Sequence, residues 1–313
     1  MTTEDPQARY YAGVKMIRYD LIKELVLAFL VVSLVVVGLA GIFSSPDDPA
    51  VTIQTWATTQ PVDFVTTAVS ELDGTSGTAG YGPPYNNTAD AAQAVGPIAP
   101  QSWAGVGTPI DPAQDFVLGP LGFAAVGNPT LTAALQTYGA ASADQQQTWL
   151  AAYSTALADA TVVNDQITVA TGDYGPVPDL MTGLLGLART GALDGLLLRS
   201  GTLYQTDFTR PLLFMGDGEY LSGLAADQHL TGDQWGMMNE TGQYPGQTWL
   251  WLFSFWYQIP PFNTAANTDL LVILLMIGLT TLLALVPFIP GLRDIPRWVP
   301  IYRIIWRRYY RGR

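Results

Sequence analysis

Residues 25–43 read LVLAFLVVSLVVVGLAGIF, an apolar run without a charged side chain. At about 1.5 Å per helical residue, this run is long enough to cross the ~30 Å hydrocarbon core of a bilayer. A cleaved secretory signal is the main alternative, and Gly38, Ala40 and Gly41 keep it open because cleavage sites require small residues. The run is longer than a typical signal core and begins after about two dozen residues, so we expect an uncleaved transmembrane helix.

A second apolar run of similar length lies near the other end of the chain. Residues 270–289 read LLVILLMIGLTTLLALVPFI, and Pro287, Pro290 and Gly291 mark its end because proline and glycine interrupt helices. The chain is also rich in apolar residues, with 49% hydrophobic and 13% charged. We therefore expect a membrane protein with two transmembrane α-helices that flank a large, mainly α and loop-rich extracytoplasmic domain.

The charges are distributed unevenly between the chain ends and the middle. Four basic residues precede the first run and seven arginines follow Asp269, whereas only Arg189, Arg199 and Arg210 lie between the two runs, in a chain of net charge −12. Short basic flanks of a span stay on the cytoplasmic side, and a long acidic segment is exported more easily. This pattern predicts a protein of the cytoplasmic membrane with both termini inside and residues 44–268 outside.

These patterns divide the chain into six segments. The segments are a cytoplasmic arm (1–24), the first span (25–43), an extracytoplasmic domain (44–247), an aromatic interfacial segment (248–268), the second span (269–290) and an arginine-rich cytoplasmic tail (291–313). Trp and Tyr concentrate at membrane interfaces, and the interfacial segment contains TWLWLFSFWYQIPPF, which is the most aromatic stretch of the chain.

Apolar residues at helical spacing predict several helices within the extracytoplasmic domain. The predicted helices cover residues 61–72, 129–138, 142–159 and 177–198, and Ser142 is a candidate N-cap. The last of these stretches is interrupted by glycines and carries charges, so we interpret it as helical but leave open the alternative of a third span.

The remaining parts of the domain have the composition of loops. Residues 73–88 hold four Gly and two Pro and predict a tight loop. Residues 204–244 carry acids around turns and predict solvated polar loops, since neither stretch of acids has the spacing of a calcium-binding loop. Residues 89–128 are rich in Ala, Gly and Pro and give no firm element.

The residue types exclude several kinds of chemistry. Zero cysteines exclude disulfides, thiolate nucleophiles, iron–sulfur ligation and Cys-based zinc sites. The single histidine, His229, excludes bis-histidine haem ligation and two-His metal sites made by this chain alone. A GxSxG elbow for Ser/His/Asp catalysis and a P-loop lysine are both missing. We therefore predict a protein that is not itself catalytic and that binds no cofactor.

Docking to other membrane components is the function that remains best supported by the residue pattern. Aromatic residues outside and alternating arginine and aromatic residues inside suit contacts with other membrane subunits and with anionic lipids, and a nucleic-acid partner is not expected. The predicted docking residues are Trp249, Trp251, Trp256 and Tyr257 outside, with Arg297, Trp298, Arg307 and Arg308 inside.

Both ends of the chain resemble a known family. Residues 17–52, IRYDLIKELVLAFLVVSLVVVGLAGIFSSPDDPAVT, resemble the start of the C-terminal half of cytochrome b in bc complexes, and residues 288–310, FIPGLRDIPRWVPIYRIIWRRYY, look like the cytoplasmic tails of some bacterial cytochrome b proteins. The resemblance covers these ends only. It implies a haemless, rearranged fragment of that family.

Three departures separate the chain from this family. The Pro-Glu-Trp-Tyr signature of the quinol-oxidation loop is absent, and the nearby sequence offers only Trp56 and residues 61–64, PVDF. The haem-bearing half is missing, and the family lacks a large exported segment between two such spans. The expected function is therefore a non-catalytic accessory subunit of a bacterial respiratory complex, cytochrome b or quinone-linked, that stabilises or docks redox partners.

A stand-alone binding protein is the alternative function. In that case the exported domain recognises an envelope polymer or a small ligand, through the loop at 73–88 and the acidic loops at 207–240. Hydrolysis by paired carboxylates ranks third, because it requires two acids at a defined separation across a cleft.

Overall fold

A computed structural model of the chain describes residues 21–43, 48–80, 96–98, 110–198, 207–230, 234–244, 246, 250–300 and 302–307. Within these residues the protein is mainly helical. The α-helices are α1 (Leu21–Phe43), α2 (Ile53–Thr59), α3 (Pro61–Asp73), α4 (Gly77–Gly80), α5 (Gly119–Ala124), α6 (Pro129–Ala140), α7 (Ala143–Leu157), α8 (Val177–Arg189), α9 (Ala192–Leu197), α10 (Thr209–Gly216), α11 (Glu219–Asp227), α12 (Trp251–Trp256), α13 (Thr268–Leu285), α14 (Ile295–Trp298) and α15 (Tyr302–Ile305).

Shorter elements complete the described part of the chain. A π-helix covers Ala113–Leu118, and 3-10 turns cover Gln234–Met237, Phe262–Thr264, Val286–Phe288 and Leu292–Asp294. Strands β1 (Thr161–Val163) and β2 (Gln166–Thr168) form an antiparallel hairpin in which Val162 pairs with Ile167.

Two helices are long and apolar enough to cross a membrane, and they lie near the two ends of the chain. The apolar part of α1 covers Leu21–Leu39 and contains no buried residue. The apolar part of α13 covers Thr268–Leu285, with 11% of its residues buried. The predicted apolar helices are confirmed, and the first begins one turn earlier than residue 25.

Helices α3 and α8 form the centre of the domain between these two helices. Helix α3 contacts α2, α7, α8 and the π-helix, and α8 contacts α2, α3, α5, α6, α7 and α9. The apolar stripe predicted for α3 is confirmed, because Phe64 and Ala68 are fully buried and Leu72 is nearly so. Gly74 ends α3 in the left-handed conformation, with φ of 71°, where glycine carries no steric cost.

An aromatic group occupies the middle of the core. The rings of Trp56, Phe64 and Phe214 contact one another edge to face with centroid distances between 5.0 and 5.6 Å. Phe116 of the π-helix adds a fourth ring, 5.4 Å from Phe214. Edge-to-face contacts of this kind add to the free energy gained from burial. The aromatic group therefore connects α2, α3 and α10 with the π-helix.

The predicted helices at 129–138 and 142–159 are confirmed as α6 and α7, and their start residues follow from side-chain caps. Asn128 accepts a hydrogen bond from the Leu131 N–H at 3.1 Å. Ser142, the predicted cap, accepts one from the Gln145 N–H at 3.3 Å. Each cap satisfies a backbone donor that has no partner within the helix.

The stretch at 177–198 is a pair of core helices. Helices α8 and α9 are separated at Gly191, which has φ of +76°. Leu180, Leu184 and Leu193 are fully buried. Neither helix has the length of a membrane span, and this stretch is not among the candidate spans of the described residues.

The prediction of polar loops over residues 204–244 is wrong for much of that region, where α10 and α11 are found. Phe214, Met215, Tyr220 and Leu221 of these helices are buried in the core. Of the acids that suggested loops, Asp207 and Glu219 lie at the N-terminal ends of α10 and α11, where carboxylates suit the backbone N–H groups, whereas Asp217 and Asp227 lie at the C-terminal ends. The polar composition of this region therefore led to a prediction of loops where two short helices are found.

Other departures concern short elements. The β1–β2 hairpin was not predicted, although its turn residues Asn164 and Asp165 both have positive φ, as a two-residue hairpin loop requires. The π-helix and α5 occupy part of the stretch that gave no firm element. In the predicted loop at 73–88, Gly77–Gly80 forms α4, and residues 81–88 lie outside the described residues.

Candidate functional site

A small apolar cluster joins the helical domain to the base of α13. Its buried members, which we call the junction cluster, are Ala225, Leu230, Met238, Tyr257 and Val272. They come from α11 and the residue stretches that follow it, from the aromatic segment, and from the first turns of the second apolar helix. The cluster therefore fixes the domain to one end of a candidate span.

A hydrogen-bond network runs through the junction cluster. The Tyr257 hydroxyl donates to Oδ1 of Asp269 at 2.9 Å and accepts from Nε2 of Gln234 at 2.7 Å. Nε2 of Gln234 also lies against Oδ1 of Asp269. Burial raises the pKa of Tyr257 to about 12, so the hydroxyl keeps its proton at neutral pH and acts as a donor. The network links the 3-10 turn, the aromatic segment and α13.

The predicted outer docking residues have different surroundings. Tyr257 is 2% exposed, so its ring contacts this protein rather than presenting a surface. Trp256 is half-buried and lies edge to face with Phe255 and Phe262, at centroid distances of 5.3 and 6.0 Å. Trp251 begins α12, which covers only part of the predicted interfacial segment at 248–268. Trp249 lies outside the described residues, as does the side chain of Trp251.

The predicted inner docking residues follow α13. The Trp298 side chain is 70% exposed at the end of α14, and Arg307 is exposed as well. Arg308 and the side chain of Arg297 lie outside the described residues. Trp298 is thus available to a lipid surface or a protein partner, and the docking role of this group stays a prediction.

A pocket of about 530 Å³ lies beside the junction cluster. Its walls come from the start of α2, from α9, α10 and α11, and from residues 234–242. Most of the lining is apolar, and its largest side chains are Phe208, Leu212, Met215, Leu221, Trp235 and Met238. Phe208 and Leu212 are 53% and 44% exposed, so they form its open edge. Pockets of this size and polarity commonly hold small ligands.

A carboxylate at the pocket wall is already engaged with the backbone. Oδ1 of Asp194 accepts the Ile53 N–H at 3.0 Å, and Oδ2 accepts the Gln54 N–H at 3.2 Å. Burial raises the pKa of Asp194, and the two backbone hydrogen bonds oppose this effect. Asp194 therefore fixes the start of α2 against α9 along one side of the pocket.

A pair of carboxyl groups, the buried Glu71 and the partly exposed Asp217, is the other notable group of polar side chains. Glu71 lies on α3 and is fully buried, with Oε2 accepting a 2.6 Å hydrogen bond from the Ser76 hydroxyl. Asp217 follows α10, and its two oxygens accept the Thr78 N–H at 3.1 and 3.0 Å. A Cβ on Gly77 would lie 2.7 Å from Oδ1 of Asp217, so only glycine permits this approach.

The environment of Glu71 favours its protonated form. Burial raises its pKa to about 9, and the neighbouring negative charge of Asp217 adds to the shift, whereas the Ser76 hydrogen bond opposes it. A side-chain hydrogen bond with Asp217 also favours the protonated carboxyl group of Glu71. Because Glu71 is closed off from solvent, a substrate cannot reach it in this conformation. We interpret the pair as a contact between α3 and the turn after α10.

Sequence reasoning missed both the carboxyl pair and the pocket. Thr67 and Glu71 follow Asp63 at intervals of four, which places three polar residues on one face of α3, and all three lie near the turn at Asp217 and Gly218. That spacing was the available signal for a polar face in an apolar helix. Within the described ranges, no group of three or more His, Asp or Glu side chains is placed to hold a metal ion.

No protein-family model matches this chain, and no curated protein or solved structure is significantly similar to it. The resemblance of the chain ends to cytochrome b stays a prediction.

Proposed function

We propose that the chain is an integral membrane protein anchored by α1 and α13, and that it acts without catalysis as an accessory subunit of a bacterial membrane complex. Its helical domain lies on the extracytoplasmic side. The observation that carries this proposal is the exposure of α1, because a long apolar helix that the described part of the chain leaves uncovered requires lipid or another membrane protein around it.

The exposure of α1 extends over its length. Leu21, Phe29, Leu34 and Val37 are between 65% and 75% exposed, and none of the residues in the Leu21–Leu39 window is buried. Burial of apolar area is worth about 25 cal/mol per Å², so this helix is unfavourable in water. The exposed apolar side chains of α1 are therefore suited to packing against lipid or another membrane protein.

The arrangement at α13 supports the proposed direction of insertion. The first turns of α13 pack against the domain through Thr268 and Val272, and the chain after Leu285 leads to the arginine-rich tail. The domain and the tail therefore lie at opposite ends of this helix. That order agrees with a domain outside the membrane and basic residues inside.

Topology is testable directly because the chain contains no cysteine. Single cysteines at Gln136, which is exposed on α6, and at Gly312 in the tail provide one site on each side. A membrane-impermeant maleimide should label Gln136→Cys in intact cells and Gly312→Cys only after permeabilisation. Labelling of both sites in intact cells, or of neither, would contradict the proposed insertion.

The accessory role is testable by purification in a mild detergent. The wild-type chain should bring a reproducible set of membrane proteins with it. A matched variant, in which residues 25–39 are replaced by leucines, keeps an apolar anchor but removes the specific surface of α1 and should lose those partners. A wild-type chain that purifies alone would overturn the role. The narrower proposal of a respiratory complex also requires a haem spectrum in the purified material.

A second candidate function, the stand-alone binding protein, is favoured by the self-contained core of the domain. All buried members of the main core lie between Ile53 and Leu221, so the domain supplies its own hydrophobic interior. A subunit that depends on partners for folding would expose more of its apolar side chains to solvent. The loops proposed for its ligand are replaced in part by α10 and α11, which leaves the pocket as the better candidate site.

A further inference from the structure

The pocket beside the junction cluster combines an apolar interior with an acidic edge. Met215, Leu221 and Met238 are nearly buried and form its inner wall. Asp194 and Glu240 are its charged residues, and none of its described lining residues is basic. A bound carboxylate or phosphate would lie near these acids without a compensating cation, so the pocket disfavours anionic ligands.

The position of the pocket places it close to both candidate spans. Met238 lines the pocket and also belongs to the junction cluster with Val272 of α13. Val51, another lining residue, lies eight residues after Phe43, the end of α1, and its N–H donates to the Glu240 carbonyl at 2.9 Å. Eight residues span at most about 29 Å when fully extended. If the chain is anchored as proposed, the pocket therefore lies within reach of the bilayer surface.

We propose that this pocket binds the hydrocarbon chain of an uncharged single-chain membrane amphiphile with a hydroxyl headgroup. The apolar walls take the chain, since a pocket of about 530 Å³ is within the range for ligands of that size. The exposed Glu240 carboxylate at the edge accepts a hydrogen bond from the hydroxyl. An alcohol supplies that donor without a charge, whereas a fatty acid brings a like charge and an amine has to bring an ammonium ion into a largely apolar pocket. The inference rests on the proposed anchoring.

The chain offers a reporter and a matched pair of variants for the test. Trp235 lines the pocket, so a brominated ligand chain should quench its fluorescence. A Cβ on Gly236 would meet no atom within 4 Å, so Gly236→Leu introduces an apolar side chain at a lining position whose Cβ has open space. Gly223 is equally open but lies on the exposed face of α11 outside the pocket, which makes Gly223→Leu the control.

The experiment uses the full chain in lipid nanodiscs with three brominated probes of the same length, dodecanol, dodecanoate and dodecylamine. We expect saturable quenching by the alcohol, with about tenfold weaker apparent affinity for the carboxylate and for the amine, which corresponds to about 1.4 kcal/mol. Trp235→Phe should remove the saturable component. Gly236→Leu should weaken it at least about tenfold, and Gly223→Leu should leave it unchanged.

The outcomes separate failure of the pocket from failure of the anchoring. Equal or tighter binding of dodecanoate or dodecylamine, or a saturable signal that survives both Trp235→Phe and Gly236→Leu, would overturn the assignment of an uncharged alcohol to this pocket. A chain that is inserted by the cysteine test but shows no saturable quenching overturns the pocket assignment alone. A chain that binds the alcohol but fails the cysteine test overturns the proposed anchoring instead.

Discussion

The indole N–H of Trp56 donates a 2.6 Å hydrogen bond to Oδ2 of Asp63 inside the helical domain. The other oxygen of Asp63 accepts the backbone N–H of Glu219, the first residue of α11, at 3.0 Å. One carboxylate thus connects α2, α3 and α11 beside the aromatic centre of the core. Hydrogen bonds to a charged acceptor are among the stronger ones in proteins.

Replacement of Asp63 by alanine should therefore destabilise the domain by about 3 kcal/mol, because it leaves the buried Trp56 N–H and the Glu219 N–H without their acceptor. Urea unfolding of the full chain in a mild detergent, followed by tryptophan fluorescence, measures the change. Asp159→Ala is the control, since Asp159 is exposed. Equal midpoints for the two variants would show that the Asp63 contacts carry no stability.

A double-variant cycle separates the Trp56–Asp63 bond from the other effects of Asp63. Trp56→Phe alone removes the donor and some packing volume. The double variant should be less destabilised than the sum of the two single variants, because the shared bond is lost only once. Strict additivity would indicate that the two side chains do not interact energetically.

Substitution of Glu71 by glutamine should alter the pH dependence of stability. Glu71 has a folded-state pKa of about 9 against 4.5 for the free side chain. Below pH 4.5 both states are protonated, and as pH rises toward 9 only the unfolded state ionises, so the wild type loses stability across this window. Relative to wild type, Glu71→Gln should gain on the order of 3 kcal/mol between pH 4 and pH 7.

Unfolding midpoints at several pH values between 4 and 9 check this expectation. Glu219→Gln serves as the control, because Glu219 is exposed and its replacement should leave the slope as in wild type. Parallel pH profiles for wild type and Glu71→Gln would mean that Glu71 ionises in the folded protein as readily as in water.

Removal of the Tyr257 hydroxyl should loosen the attachment of α13 to the domain. Tyr257→Phe keeps the ring in the junction cluster but deletes the contacts to Asp269 and Gln234, at a cost of about 1–2 kcal/mol. Backbone amides in the first turns of α13 should exchange with deuterium faster than in wild type. Tyr244→Phe is the control, because Tyr244 lies outside this network. Similar exchange rates in both variants would show that the Tyr257 hydroxyl does not hold α13 to the domain.

Residues 44–247 expressed alone should form a soluble domain with a cooperative thermal transition, because they contain every buried member of the main core. The loss of Tyr257 and Val272 leaves Ala225, Leu230 and Met238 without part of their cover, so local exchange near α11 should increase. Circular dichroism and size-exclusion chromatography measure this outcome. An insoluble or molten product would instead favour a subunit that requires partners.

Sequence patterns were sufficient to predict those elements whose local spacing of apolar or capping residues matches their environment in the fold. The apolar runs of α1 and α13, the stripe of Phe64, Ala68 and Leu72, and the Ser142 cap depend on residues close together in the chain. Long unbroken or regularly spaced apolar residues have few alternatives to a helix. Their positions were therefore predictable to within about one helical turn.

The other features depend on contacts between distant segments. The acids at the ends of α10 and α11 led to the prediction of loops. Phe214 and Leu221 of these helices are nevertheless buried in the core. Glu71 contacts Ser76 and Asp217 in the folded chain, and Asp217 is far away from it in the sequence. The pocket likewise needs five separate segments. The spacing of residues within one segment does not show which distant segments it will contact.

The hydrogen bond between Tyr257 and Asp269 also limits how deep α13 can lie in a bilayer. Asp269 is the second residue of this helix, directly before its apolar stretch. A shift of the helix inward by one turn would carry a carboxylate about 5 Å toward the hydrocarbon and break its bond to the domain. If α13 spans a membrane as proposed, the domain sets its vertical register, so that a partner subunit would meet α13 at a fixed height.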